Sequence, residues 1–227
     1  MNENASTKQK AEVDVEDRRM RYRRIPDEAV RRLPMYLRGL LLCSEEGLQN
    51  VSSHKLSELL HINPPQIRKD LSYFGAFGTP GVGYDTAKLA KQIRGILKID
   101  TPNKAALVGL GNLGSAILKY PGFGSYNLEI SAVFDNDPVK IGKTVRDVKV
   151  EDVSKLSALK KKGITLGIIA VPASAAQAVA DGLVKAGIRG ILNFAPYYLD
   201  VPRKVKVISI DIAMDLARLP YYLPASA

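Results

Sequence analysis

Three glycines at positions 109, 111 and 114, in VGLGNLGSAIL, have the spacing that lets a backbone turn cradle a pyrophosphate. Before the loop, AALV reads as a strand; after it, LGSAILKY reads as a helix. A second strand, LEISAVFD, ends in Asp135, 21 residues beyond Gly114. Each glycine then has a physical task. Gly109 permits the tight turn, Gly111 lets the backbone approach the phosphates, and Gly114 allows helix to pack closely on strand. Leu110, Asn112 and Leu113 complete the loop, whose helix-start amides face phosphate charge. Asp135 is expected to accept hydrogen bonds from the adenosine ribose and to repel a 2′-phosphate, which favours NAD(H) over NADP(H). Later strands end at AVPAS and NFAP, so Val171, Pro172, Asn193, Phe194 and Ala195 are placed to line a nicotinamide ring. Strand-ending turns explain those two motifs equally well.

Redox turnover on such a ligand would need a proton donor or acceptor tuned near neutrality. The chain has two histidines, His54 and His61, and both precede the loop by about fifty residues or more. Its Tyr-x-x-x-Lys match, Tyr84 to Lys88, also precedes the loop. No metal-ligand cluster is visible, and fewer than 100 residues follow Asp135, too few for a substrate domain. Binding without turnover is therefore expected, so the chain is read as no enzyme. An NAD-dependent oxidoreductase with a helical accessory domain, or a regulator reading another adenine nucleotide, are the rival readings.

A second group of residues suits a different chemistry. In NPPQIRKDLSYFG, Asn63 can cap a helix, Pro64 suits its first position and Gln66 can reach back to the cap. Ile67, Leu71 and Phe74 then define the buried face. Pro65, Lys69, Ser72 and Tyr73 project outward, flanked by Gln66 and Arg68: donors, cations and an aromatic suited to the edges and phosphates of double-stranded DNA. The helix before it, capped by Ser52 or Ser53 and carrying Leu56, Leu59 and Leu60 on one face, is joined to it by three residues, His61 to Asn63. That is a helix-turn-helix with its recognition helix second. GAFGTPGVGY follows with four glycines and a proline in ten residues, which suits a hairpin wing with Gly81 near its tip.

These groups need two frames. Helical periodicity runs from Ile25 to about residue 98, beginning with the stripe Leu33, Leu37, Leu40 and Leu41, expected to break near Pro34. From Lys104 the pattern becomes strand alternating with helix, which argues for a parallel sheet covered on both faces. The fold class is therefore α/β: an N-terminal winged helix-turn-helix plus a C-terminal Rossmann domain. The expected divisions are a disordered basic tail over 1–24, a DNA-binding domain over 25–100, a dinucleotide domain over 101–210, and a C-terminal helix and tail over 211–227. Of the net charge of +10, residues 18–104 carry +8, as a polyanion-binding segment would. No apolar run reaches the ~18 residues of a membrane span and no signal peptide is evident, so a cytoplasmic protein is expected. Cys43 is a lone cysteine in an apolar setting, which excludes an internal disulfide.

Taken together, RLPMYLRGL, VSSHKLSELLHINPPQIRKDLSYFGAFGTPGVGY, VGLGNLGSAI with YPGF after it, and SIDIAMDLARL closely resemble the Rex family of redox-sensing bacterial transcriptional repressors. The resemblance spans Pro26 to Leu219. It implies a homodimer on palindromic operator DNA, released when NADH rises, with NAD(H) as sensed ligand and no metal. It also implies a C-terminal helix swapped onto the partner, with which the stripe Ile212, Leu216 and Leu219 agrees. Lastly, it implies a polar switch made of Arg38, Tyr120 and Asp211.

Overall fold

The computed structural model describes residues 25–223. The basic tail expected over 1–24 lies outside the described residues. The chain divides into two compact units, with the break between Asp100 and Thr101. Among the described residues, no helix is long and apolar enough to cross a membrane.

The first unit is built on helix α1, Asp27–Glu45. It buries Leu33, Tyr36, Leu37, Leu40 and Cys43 completely. The break expected near Pro34 does not occur: Pro34 lies inside α1. A proline deletes one backbone hydrogen bond, and the buried side chains on both sides of it outweigh that loss. Strand β1 (Asn50–Val51), helix α2 (Ser53–Leu60), helix α3 (Pro64–Ser72), strand β2 (Tyr84–Asp85) and helix α4 (Thr86–Leu97) follow. Leu56 of α2, Ile67 and Leu71 of α3, and Leu89 and Ile93 of α4 complete the core. The pairing of β1 with β2 is antiparallel, Val51 opposite Tyr84. It ties the residues just before the helix-turn-helix to those just after the wing. The wing itself is a tight turn in which the Thr79 and Gly83 backbones exchange hydrogen bonds of 2.9 Å each.

In the second unit, seven strands form one sheet: β3 (Asn103–Val108), β4 (Leu128–Asp135), β5 (Thr144–Val145), β6 (Val148–Asp152), β7 (Leu166–Ile169), β8 (Gly190–Asn193) and β9 (Lys206–Ser209). Their spatial order is β5-β6-β4-β3-β7-β8-β9, and all are parallel except the small β5–β6 hairpin. Without β5 this is the doubly wound order in which the chain reverses direction across the sheet between β3 and β7, the place where such sheets bind ligands. One face carries helix α6 (Ala173–Lys185) and the 3-10 turns Val153–Lys162 over Val108, Phe134, Ile169 and Ile191. The other carries helix α5 (Asn112–Lys119) over Leu107, Val133 and Ile168. No helix of the described chain covers that second face beyond β7, because the β8–β9 connection packs Leu199 and Val201 on the opposite side. A cavity of about 290 Å³ opens there, walled by Phe123, Ile130, Leu166, Ile168, Leu192 and Ile208. Helix α7 (Ile212–Ala217) and the 3-10 turn Leu219–Tyr222 end the described part of the unit, with Ile212, Met214, Leu216 and Leu219 exposed.

Candidate functional site

The strongest polar feature of the first unit is one the sequence reading passed over. Asp70, 1% exposed, sits between Ile67 and Leu71 on the inward side of α3. Its Oδ2 accepts from Arg32 Nε at 2.5 Å and from the Tyr36 hydroxyl at 2.5 Å, and its Oδ1 accepts from Arg32 Nη2 at 3.0 Å and Gln66 Nε2 at 2.7 Å. Burial alone would raise this carboxyl; the bonds from Arg32, Tyr36 and Gln66 outweigh it and hold it below the usual carboxylate range. Burial and the same carboxylate push the Tyr36 hydroxyl well up. The cluster bolts α3 to α1. A signal for it existed: an acid one turn from Ile67 on the apolar side of a helix has to find a cation.

The network corrects two expectations. Gln66 does not reach back to a cap, and it is half-buried with its amide spent on Asp70 rather than offered outward. Asn63 caps α3 by backbone position alone, with no side-chain bond. Ser53 is also turned in: it is buried, and its hydroxyl accepts from Arg68 Nη1 at 2.7 Å, while the cap of α2 is Ser52, whose Oγ accepts from the Lys55 amide at 3.1 Å. Pro65, Arg68, Lys69 and Ser72 remain exposed on α3, and Tyr73 is half-buried at its end. Of these, Arg68 and Ser72 join exposed Ser52 and Gly81 around the groove between α3 and the wing, a cavity of about 580 Å³ whose walls also include Ser53 and Phe77.

In the second unit the glycine loop leaves β3 and enters α5. Gly109 has φ +94, and a Cβ on it would stand 2.4 Å from the Ala170 carbonyl. A Cβ on Gly114 would stand 1.9 Å from the Gly109 carbonyl. A Cβ on Gly111, by contrast, would meet nothing within 4 Å, and Gly111, Asn112 and Leu113 are exposed at the start of α5. So two glycines are demanded by the protein itself, while the third opens on the space a pyrophosphate would fill. The residues present thus fit a dinucleotide. The adjoining cavity, about 580 Å³, is walled by Asp135, Asn136, Val153, Val171, Pro172 and Ala175.

Asp135 ends β4 at 6% exposure, and its oxygens are largely committed to its own chain. Oδ2 accepts from the Leu110 amide at 2.7 Å and from Lys140 Nζ at 3.4 Å, and Oδ1 accepts from the Asp137 amide at 2.8 Å. Burial would raise its carboxyl, but those two amides and the ammonium hold it low. Asp135 is thus first a strap between the glycine loop and the end of β4. Lys140 is a residue the sequence reading missed; its signal was an isolated cation five residues after the acid.

Of the residues expected around a nicotinamide, Val171 and Pro172 do line the cavity. Asn193 and Ala195 do not face it: they are 0% and 5% exposed. The Asn193 side chain ties its own turn, donating to the Ala195 and Tyr197 carbonyls at 3.1 and 3.0 Å and accepting from the Ala195 amide at 3.0 Å. A buried amide has to satisfy its donors, and a strand-ending turn does so here. Phe194 is half-buried against the α5 face. Tyr120 is 59% exposed just after α5 and stacks edge-on against Phe123 at 5.4 Å. Asp211 caps α7, its Oδ1 accepting from the Ala213 and Met214 amides at 3.0 and 3.2 Å. Arg38 is exposed on α1 of the other unit. Among the described residues no cluster of His, Cys, Asp and Glu could hold a metal ion.

Comparison with known proteins joins these parts. Residues 24–72 match the family model described as "Putative DNA-binding protein N-terminus", and residues 100–197 match that of the CoA binding domain. The redox-sensing transcriptional repressor Rex of Chloroflexus aurantiacus is 48% identical over 199 residues, covering 87% of this chain and 94% of the relative. Rex of Brevibacillus brevis is 44% identical over 204 residues, 89% of this chain and 99% of the relative. Among solved structures, RSP in complex with β-NAD⁺ and operator DNA superposes with a TM-score of 0.82 at 35% identity, covering 87% of this chain and 92% of that one. RSP in complex with β-NADH superposes with a TM-score of 0.79 at 34% identity, covering 88% and 94%.

Proposed function

This chain belongs to the Rex family of redox-sensing transcriptional repressors, and on that premise we propose that NADH releases it from palindromic operator DNA whereas NAD⁺ leaves it bound. It is a repressor that binds NAD⁺ and NADH as sensed ligands and operator DNA as its target, and it is not an enzyme. α3 and the wing take the DNA, with Ser52, Pro65, Arg68, Lys69, Ser72, Tyr73 and Gly81 at the surface. The loop Gly109 to Gly114, the Asp135 turn, Val171 and Pro172 take the dinucleotide. A repressor works where chromosomal DNA is, which agrees with the cytoplasm.

The observation that carries this reading is the glycine loop already shaped for a pyrophosphate, in the same chain as a recognition helix bolted in place by Asp70. The nicotinamide ring supplies the signal, positively charged when oxidised and neutral when reduced. Arg38, Tyr120 and Asp211 are the residues we assign to its reading: a carboxylate near the ring changes partners when that charge disappears. NADH must then prefer the DNA-incompetent arrangement, and each tenfold of preference is a coupling of about 1.4 kcal/mol.

A homodimer completes the reading. α7 offers Ile212, Leu216 and Leu219 to solvent, and the sheet face beyond β7 is bare and apolar. Surfaces of that kind are normally covered by a partner. Two-fold symmetry would match a palindromic operator. Gel-shift titration on such an operator tests the whole: loss of the complex with NADH and not with NAD⁺ is expected. Equal responses to the two forms would refute it.

A further inference from the structure

The groups beside Asp135 carry more than the binding of a dinucleotide. Lys140 Nζ lies 3.4 Å from Asp135 Oδ2 and 3.5 Å from Asp137 Oδ2, so one ammonium is shared by two carboxylates. The two acids differ in freedom. Asp135 is buried and holds the glycine loop through the Leu110 amide. The Asp137 side chain is 37% exposed and, besides meeting Lys140, accepts at Oδ1 from the Val139 amide at 2.9 Å. Asp135 and Asn136 line the cavity next to the loop, which puts this turn where an adenosine ribose would sit.

We infer that Asp137, by occupying Lys140, is the residue that excludes a 2′-phosphate from this site, while Asp135 serves to hold the loop. The inference rests on the dinucleotide reading above. A ribose hydroxyl is neutral and tolerates a site whose two acids and one base sum to −1. A phosphomonoester brings nearly two negative charges. The cation paired with these acids, Lys140, is already spent on two carboxylates that would repel the newcomer. Like charges brought together in this way repel one another. Removing Asp137 frees one side of the ammonium without cutting the strap to Leu110. Removing Asp135 cuts the strap.

The test is titration of the full chain with NADH and with NADPH, followed by ligand fluorescence, for wild type, Asp137→Ser, Asp137→Ser with Lys140→Ala, and Asp135→Asn. Serine keeps a hydroxyl acceptor for the Val139 amide, and thermal unfolding checks that each variant folds. Asp137→Ser is expected to raise the NADPH-to-NADH affinity ratio by at least about tenfold, the equivalent of ~1.4 kcal/mol. Adding Lys140→Ala is expected to abolish that gain, and Asp135→Asn to weaken both ligands together. An unchanged ratio in Asp137→Ser, a gain that survives loss of Lys140, or a gain in Asp135→Asn alone would overturn the inference while leaving NADH binding intact. Failure of wild type to bind NADH would instead remove the dinucleotide reading, and this inference with it.

Discussion

Replacing Asp70 with alanine strips one acceptor from four donors at once: Arg32 Nε and Nη2, the Tyr36 hydroxyl and the Gln66 amide. Breaking a buried ion pair by removing one partner costs ~3–5 kcal/mol. The lower half of that range applies here, because the Arg32 side chain keeps 24% exposure and can turn toward water or Glu28, 4.0 Å away. The Tyr36 hydroxyl has no such escape, since the residue is fully buried, and a stranded buried donor costs ~1–3 kcal/mol. The two penalties overlap, so we expect about 3–4 kcal/mol in total. For a domain of this size each kcal/mol moves the midpoint by roughly 4–8 °C, which gives a fall of about 12–32 °C. Scanning calorimetry of the full chain with saturating NADH separates the units, because ligand raises only the transition of the unit that binds it. The NADH-insensitive transition should carry the whole fall. Acid provides the sign check. Asp70 is held below its ordinary value, so its contribution is complete above about pH 4 and is lost as pH falls through the lowered folded value. The gap between wild type and Asp70→Ala should therefore be constant near neutrality and close below about pH 4. A fall of less than about 4 °C at neutral pH, or a gap that widens in acid, would refute the argument.

Three further outcomes follow from the same geometry. Gly111→Ala should fold as wild type, since nothing lies within 4 Å of the added carbon, yet lose at least about tenfold in NADH affinity; Gly114→Ala should instead destabilise the Rossmann unit, its Cβ falling 1.9 Å from the Gly109 carbonyl. Equal thermal stability of the two variants would contradict this. Lys69→Ala should weaken operator binding at all sequences and lower the slope of log affinity against log salt by about 0.9 per subunit, about 1.8 for a dimer, with NADH affinity kept; an unchanged slope would take Lys69 off the phosphates. Leu216→Glu should convert a dimer to a monomer in sedimentation, given that Leu216 is 63% exposed within the chain; a dimer that survives would place the interface elsewhere.

Much of this molecule could be read from residue spacing, because local rules and the final fold agreed there. The glycine loop, the strand–helix alternation and the three-residue turn at His61 each follow from short-range sterics. His61, for instance, takes a left-handed conformation, φ +54, to end α2. What stayed hidden depended on distant partners. Gln66 had a sound local reading as a cap, but Asp70 four residues on supplies a charged acceptor, and the charge-assisted bond prevails. Asn193 looked like a ligand contact because strand ends usually offer one, whereas burial obliged its amide to serve its own turn. Pro34 marked a break by local rule and was overridden by the apolar contacts of its neighbours. Asp135 was legible as important, but its division of labour with Asp137 was not. Periodicity gives no view of which oxygen an amide 25 residues earlier will take.

The bond from Leu110 to Asp135 has a consequence for how the protein reports on the cell. The loop is held in its phosphate-binding shape by the chain itself, so its ordering is settled during folding and not at the moment a ligand arrives. Both redox forms carry the same adenosine diphosphate portion, and whatever affinity the fixed loop gives to one it gives equally to the other. That shared affinity cancels from the comparison between them. It sets only how little total dinucleotide is needed to keep every site filled. A repressor built this way, once saturated, is blind to the size of the pool and responds to its composition, because every molecule of one form that leaves is replaced by whichever form is more abundant and better held.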